Sequence, residues 1–128
     1  MLAAFDQWNR ALETYNPDNM LPLYTHDSIL LPTVADGVRT TAEGRRDYFV
    51  GFMEKEPTGI IDEYNIRLLG RDSSGLPNAV SNQGIYTFFF TKTGEKAQAR
   101  FTYNYVRVDG KWLIKEHHSS AMPEATEG

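Results

Sequence analysis

Apolar residues recur near the start of the chain at Leu2, Phe5, Trp8, Leu12 and Tyr15. Steps of three and four lay one stripe along a helix. Asn16-Pro17 stops that helix and starts a second, short one, with Asn16 as cap, Pro17 at the first helical position and Asp18 in the first turn. Pro22 has no N–H to bond back and limits or kinks the second helix, so a helical hairpin is expected. Ser28-Ile29-Leu30-Leu31-Pro32 reads as a short strand, with His26-Asp27 as a turn before it and a loop through Asp36-Gly37 after it. Thr40-Thr41-Ala42-Glu43 has capping-box spacing, with Thr40 as cap. The following helix places Tyr48, Phe49, Phe52 and Met53 on one face, leaves Arg45, Arg46, Glu54 and Glu56 mostly elsewhere, and ends at Pro57 and Gly59.

After Gly59 the hydrophobic period changes from 3.6 to 2. Four long strands are predicted, about Ile60–Leu69, Val80–Thr91, Ala97–Val108 and Trp112–Ala121, joined by short turns that make an antiparallel meander. Helices followed by a run of strands give an α+β layer fold. Strands this long must twist and curl, and helices packed into the hollow side make a cone with an internal cavity, a default ligand site.

Phase along the strands decides what faces that cavity. In the third long strand Phe101, Tyr103 and Tyr105 alternate with Arg100, Thr102, Asn104 and Val106; the aromatic set should face the helices, each ring contributing roughly 2–3 kcal/mol when covered. In the second, Tyr86, Phe88 and Phe90 alternate with Ile85, Thr87 and Phe89. Both sets are largely apolar, so both faces are expected to be covered, the outer one by a partner subunit. The last strand depends on Asp109-Gly110. A two-residue loop pairs Val108 with Lys111 and sets His118 beside Phe101. A three-residue turn with a glycine bulge pairs Arg107 with Lys111 and moves Leu113, Lys115, His117 and Ser119 to the aromatic face. One residue of slip exchanges the two histidines, and the pattern alone leaves both open.

Composition narrows the classes. The 128 residues suit a single domain, 1–128, with 41% hydrophobic and 23% charged residues. No apolar run reaches the ~20 residues of a membrane span. A net charge of −4 and pI near 5.3 disfavour nucleic acid and anionic membranes as partners. Cysteine is absent, which removes disulfides, thiol catalysis and thiolate metal sites. With three histidines, neither a metal nor a cofactor is expected. The start shows no basic segment leading a long apolar run, so a cytoplasmic location is expected, and only the tail after Pro123 reads as loose.

Several residues are candidates for chemistry. His117 and His118 are adjacent in a strand, so they point to opposite faces and at most one reaches the cavity; either is a candidate ligand contact or general base, against an ordinary histidine tied into the sheet. Arg100 suits a carboxylate ligand or a surface ion pair with Glu116 or Glu95. Asp62 shares a phase with Ile60, Tyr64, Ile66 and Leu68, where a carboxylate would have a raised pKa and serve as a base, against a solvated strand start. Tyr24, Tyr48, Tyr86 and Tyr103 offer hydroxyls inside a cavity or simply pack there.

The segment from Phe101 through Met122-Pro123, with Leu30-Leu31-Pro32-Thr33, Thr41 to Gly44 plus Tyr48-Phe49, and Gly84-Ile85-Tyr86-Thr87-Phe88, resembles the nuclear transport factor 2-like superfamily. Within it, the chain is most similar to the association (hub) domain of calcium/calmodulin-dependent protein kinase II and its stand-alone bacterial relatives. The resemblance implies a cone-shaped fold, N-terminal helices on a curved, mostly antiparallel sheet, a deep pocket, dimers through the sheet face and higher rings. In kinase hubs the pocket is lined with arginines and binds small carboxylates. Those arginine positions fall here at Tyr86, Tyr103 and Ser119, and the hub histidine near Tyr48, which leaves Arg100 as the nearby cation. The same superfamily hosts pure assembly modules and small enzymes.

The leading expectation is therefore a hub-like oligomerising domain, dimeric or larger, with a pocket for a small carboxylate-bearing or aromatic ligand. Its contacts would come from Tyr48, Tyr86, Tyr103, Arg100, His117 and Ser119, with His118 in reserve. The alternative is a cofactor-independent isomerase, cyclase or dehydratase of the SnoaL-like or ketosteroid isomerase-like type, with His117, His118 or Asp62 as base and a tyrosine stabilising the oxyanion. A purely structural module with an incidental cavity is the third.

Overall fold

A computed structural model describes residues 2–32 and 37–122. Helix α1 spans Leu2–Leu12 and buries Phe5, Trp8 and Leu12, as the stripe requires; the side chain of Leu2 is not among those described. Tyr15, expected on the same stripe, instead adopts a positive φ of 56° and stands 41% exposed just past the helix end. Asn16 caps as expected, its side-chain oxygen accepting from the Asp18 N–H at 3.0 Å. The expected second helix is two single 3-10 turns, Pro17–Asn19 and Leu21–Leu23, with Met20 between them and Pro22 inside the second.

Strand β1 runs Tyr24–Leu31, four residues earlier than expected, so His26-Asp27 lies inside a strand rather than in a turn. Helix α2, Ala42–Met53, is capped by Thr41, not Thr40: the Thr41 hydroxyl accepts from the Gly44 N–H at 3.0 Å. Phe49 and Met53 are buried as expected, but so is Arg45. Its guanidinium donates to the carbonyls of Ser28 at 2.8 Å, His26 at 3.2 Å and Thr25 at 3.3 Å, and so holds the irregular stretch of β1 where pairing to its neighbour breaks between Tyr24 and Ile29. Helical spacing put Arg45 away from the apolar face; hydrogen bonds to three carbonyls of an adjacent strand hold it inside. Thr33 and Asp36, and the tail after Pro123, lie outside the described residues.

The remaining strands are β2 Pro57–Arg71, β3 Pro77–Phe90, β4 Glu95–Val108 and β5 Lys111–Ala121. Pro57 and Gly59 open β2 rather than merely ending α2. The curved sheet has order β1-β5-β4-β3-β2, an antiparallel meander with β1 added parallel to β5. At the β2 edge, the Asn9 side chain from α1 both donates to the Gly59 carbonyl at 3.0 Å and accepts from its N–H at 2.8 Å, tying helix to sheet. Gly84 is a close approach: a Cβ there would run into the carbonyl of Glu63.

Both readings of the last turn are partly overturned. The hairpin is the two-residue type, Val108 opposite Lys111, with positive φ at Asp109 and Gly110. Yet His117, not His118, lies on the aromatic face, opposite Tyr103, because the register slips between Asn104 and Tyr105. Tyr105 pairs with Ile114 and Asn104 with Glu116, which leaves Lys115 as the extra residue of a β-bulge. Trp112 and Ile114 therefore share the inner side with His117, Ser119 and Ala121, while Leu113, His118 and Ser120 turn outward. On the outer face Thr87 is covered within the chain, Ile85 is half-buried and Phe89 is exposed.

The bulge predicts a contrast. Lys115→Ala removes only an exposed side chain and should change stability by no more than about 0.5 kcal/mol. Deleting Lys115 closes the bulge, keeps Ile114 opposite Tyr105 and His117 opposite Tyr103, and should leave a cooperative urea transition; deleting Leu113 instead sets Lys115 opposite Tyr105 on the inner face and should lower its midpoint sharply. A Lys115 deletion variant without a cooperative transition would refute this register.

Candidate functional site

A cavity of about 280 Å³ lies between the inner face of α2 and the hollow side of the sheet. Tyr48 and Phe52 come from α2, Tyr86, Phe88 and Phe90 from β3. The space exists because facing positions are small: Phe88 is paired with Ala97, Tyr86 with Ala99, and Ala99 with Ala121. Lys55, Glu95, Lys96 and Gln98, all exposed, frame the solvent side. Trp8, His117 and Ser119 form the inner end.

His117 is buried at the centre of a hydrogen-bonded cluster. The Tyr24 hydroxyl lies 2.9 Å from Nδ1 and the Tyr86 hydroxyl 3.3 Å from Nε2. Trp8 Nε1–H donates to the Tyr24 hydroxyl at 3.1 Å, and the Ser119 side chain hydrogen-bonds Tyr86. The Tyr103 ring stacks on the imidazole, centroids 4.2 Å apart at 21°, and Trp8 meets it edge-on at 5.7 Å. Burial pushes the His117 pKa down to about 3, and His118 adds in the same direction. Burial likewise raises Tyr24, Tyr48 and Tyr86 well above the usual phenol range. At neutral pH the inner end is thus a set of uncharged hydroxyls around an uncharged imidazole. Among the described residues, no three His, Cys, Asp or Glu side chains come together to hold a metal ion, and no helix is long and apolar enough to cross a membrane.

A family model for the calcium/calmodulin dependent protein kinase II association domain matches residues 1–123. The chain belongs to this family. A Xanthomonas campestris structure described as a calcium/calmodulin dependent protein kinase II association domain is 46% identical, with a TM-score of 0.87 over 97% of this chain and 86% of that one. A nuclear transport factor 2-like superfamily protein from Salmonella enterica serovar Typhimurium, 14% identical, superposes with a TM-score of 0.74 over 98% of this chain and 91% of its own. A Nostoc punctiforme protein with a cystatin-like fold, 13% identical, gives 0.76 over 96% and 89%. These last two bear on fold alone. No curated protein matches the chain.

In this association domain the cavity gathers four of the expected contacts, Tyr48, Tyr86, His117 and Ser119. Tyr103 faces inward but does not reach the wall; it lies fully buried against His117. Arg100, His118 and Asp62 are on the other side of the sheet. Arg100 is exposed and lines a shallow outer groove with Glu63 and Gln83. His118 is exposed opposite Thr102. Asp62 is the unpaired residue of a bulge between Ile61 and Glu63, and its carboxylate accepts from Thr87 Oγ1 at 2.6 Å and Gln98 Nε2 at 3.2 Å. The expectation of Arg100 or Asp62 inside the cavity is corrected by strand alternation and by that bulge. Sequence reasoning missed the roles of Trp8, Ala97 and Ala99. The Ala97-x-Ala99 spacing, in phase with Phe101, was the available signal.

The depressed His117 pKa has a signed consequence. The unfolded ring protonates near pH 6.5 and the folded ring only near 3, so the unfolded state binds the extra proton across that window. The contribution is fully present above pH 6.5 and is lost as pH falls, at about 1.4 kcal/mol per pH unit. Between pH 6.5 and 5 this amounts to about 2 kcal/mol of urea-measured stability. His117→Gln should lack that part of the pH dependence; an unchanged profile would contradict the buried neutral ring.

Proposed function

We propose that this association domain assembles with copies of itself and holds a small, largely apolar ligand in the cavity beneath α2. The observation that carries the ligand reading is the cavity itself: aromatic walls, alanines on the neighbouring strands, a charged mouth and an uncharged polar inner end at His117, Tyr86 and Ser119. Sites of this form bury most of a ligand and use a few polar groups to orient it. Assembly is supported by the family and by β2, an edge strand that leaves Ile60, Tyr64, Ile66, Leu68 and Leu69 exposed, apolar surface that a second copy would cover. Binding is favoured over proton-transfer catalysis because His117 is bonded to two hydroxyls rather than a carboxylate and is a weak base at neutral pH.

Sedimentation equilibrium at micromolar concentration should give a dimer or larger; a monomer overturns the assembly reading. Ethylbenzene, an uncharged aromatic probe, should raise the melting temperature of the wild type. It should do so far less in Ala99→Phe, which fills the space opposite Tyr86. Equal shifts in both proteins would place the probe elsewhere.

A further inference from the structure

We propose that the cavity selects a neutral, flat ligand that presents a carbonyl-type oxygen to the Tyr86 hydroxyl, because the hydrogen-bond chain that begins at Trp8 runs one way only, toward the cavity. This rests on reading the cavity as a binding site and names the chemistry it takes.

The direction follows from what each group is able to do. An indole N–H donates and never accepts, so the bond from Trp8 to the Tyr24 oxygen has a fixed sense. Tyr24 is buried and carries one proton. Besides Trp8, its hydroxyl contacts only His117 Nδ1 among the described residues. If Nδ1 carried the ring proton, the Tyr24 O–H would be a buried donor with no acceptor, a penalty the other tautomer avoids. Tyr24 therefore donates to Nδ1, the ring proton sits on Nε2, and Nε2–H donates to the Tyr86 oxygen. Tyr86 is then left to donate its own proton, toward Ser119 or a ligand oxygen beside it. Side chains from α1, β1, β5 and β3 act as one polarised chain that delivers donors to the inner end of the cavity.

The charges around the cavity decide between a neutral and an ionised acceptor. The inner end holds hydroxyls, the indole N–H and an imidazole kept neutral by burial. The cations that line the cavity, Lys55 and Lys96, stand at the solvent side beside Glu95, and the Lys55 ammonium lies over the Phe90 ring at 5.4 Å. A carboxylate at the inner end would be buried without a partner charge. A carbonyl oxygen needs only the donor that is there, and the Phe52, Phe88 and Phe90 rings suit a flat apolar body.

Three probes of nearly one shape separate the possibilities: acetophenone, ethylbenzene and benzoate, titrated at pH 7 by calorimetry. Acetophenone should bind about tenfold tighter than either of the others, and Tyr86→Phe should bring the acetophenone-to-ethylbenzene ratio to about twofold or less. Nitrogen-15 NMR of the unliganded protein should find His117 protonated at Nε2 and bare at Nδ1. Tyr24→Phe, which keeps the ring and removes the hydroxyl that donates to Nδ1, should mix the two tautomers. An Nδ1–H tautomer in the wild type overturns the proposal without any ligand. Equal binding of acetophenone and ethylbenzene, or tightest binding of benzoate, overturns the ligand class while leaving the cavity a binding site. An unchanged tautomer in Tyr24→Phe removes the role given to Tyr24. If none of the three probes binds, the binding-site reading itself fails, and this inference with it.

Discussion

Side chains alternate strictly from face to face along a strand, so the position of one unpaired residue fixes everything beyond it. In β5 that residue is Lys115. Were Lys115 paired in the ladder like its neighbours, the tight hairpin at Asp109-Gly110 would carry His118 inward and leave His117 in solvent. With the bulge, the buried half of the strand becomes Ile114, His117 and Ser119. The polar end of the cavity thus depends on a register shift four residues from the turn.

The shifted register makes a buried histidine affordable by surrounding it with aromatic rings and two hydroxyls. Tyr24 and Tyr86 contact its ring nitrogens, and Tyr103 stacks on its face. Tyr24 is in reach because β1 pairs in parallel with β5, Tyr24 opposite Ile114 and Leu30 opposite His117. Arg45, buried against three carbonyls of the irregular stretch between them, supports the backbone that carries Tyr24. The polar cluster and the β1–β5 junction are therefore parts of one arrangement.

The cavity follows from size differences across the sheet. Tyr86 and Phe88 project from β3 while Ala97, Ala99 and Ala121 line up beside them on β4 and β5. Strand alternation sends Arg100 and His118 to the outer face, and the bulge between Ile61 and Glu63 sends Asp62 there. The inside is left without a cation or carboxylate at its deep end, a chemistry unlike that of an arginine-lined pocket.

The amino-acid pattern by itself determined the order of elements, the α1 stripe of Phe5, Trp8 and Leu12, the Asn16 cap, the four meander strands and the inward phase of Phe101, Tyr103 and Tyr105. These rest on period and turn chemistry, which act between residues close in the chain. Tertiary structure decided the rest: which histidine is buried, where Asp62 points, why Arg45 goes inside and which tyrosines reach the cavity. Each of those turns on a bulge, a parallel pairing or a carbonyl contributed by a distant segment. Local spacing carries no record of such partners.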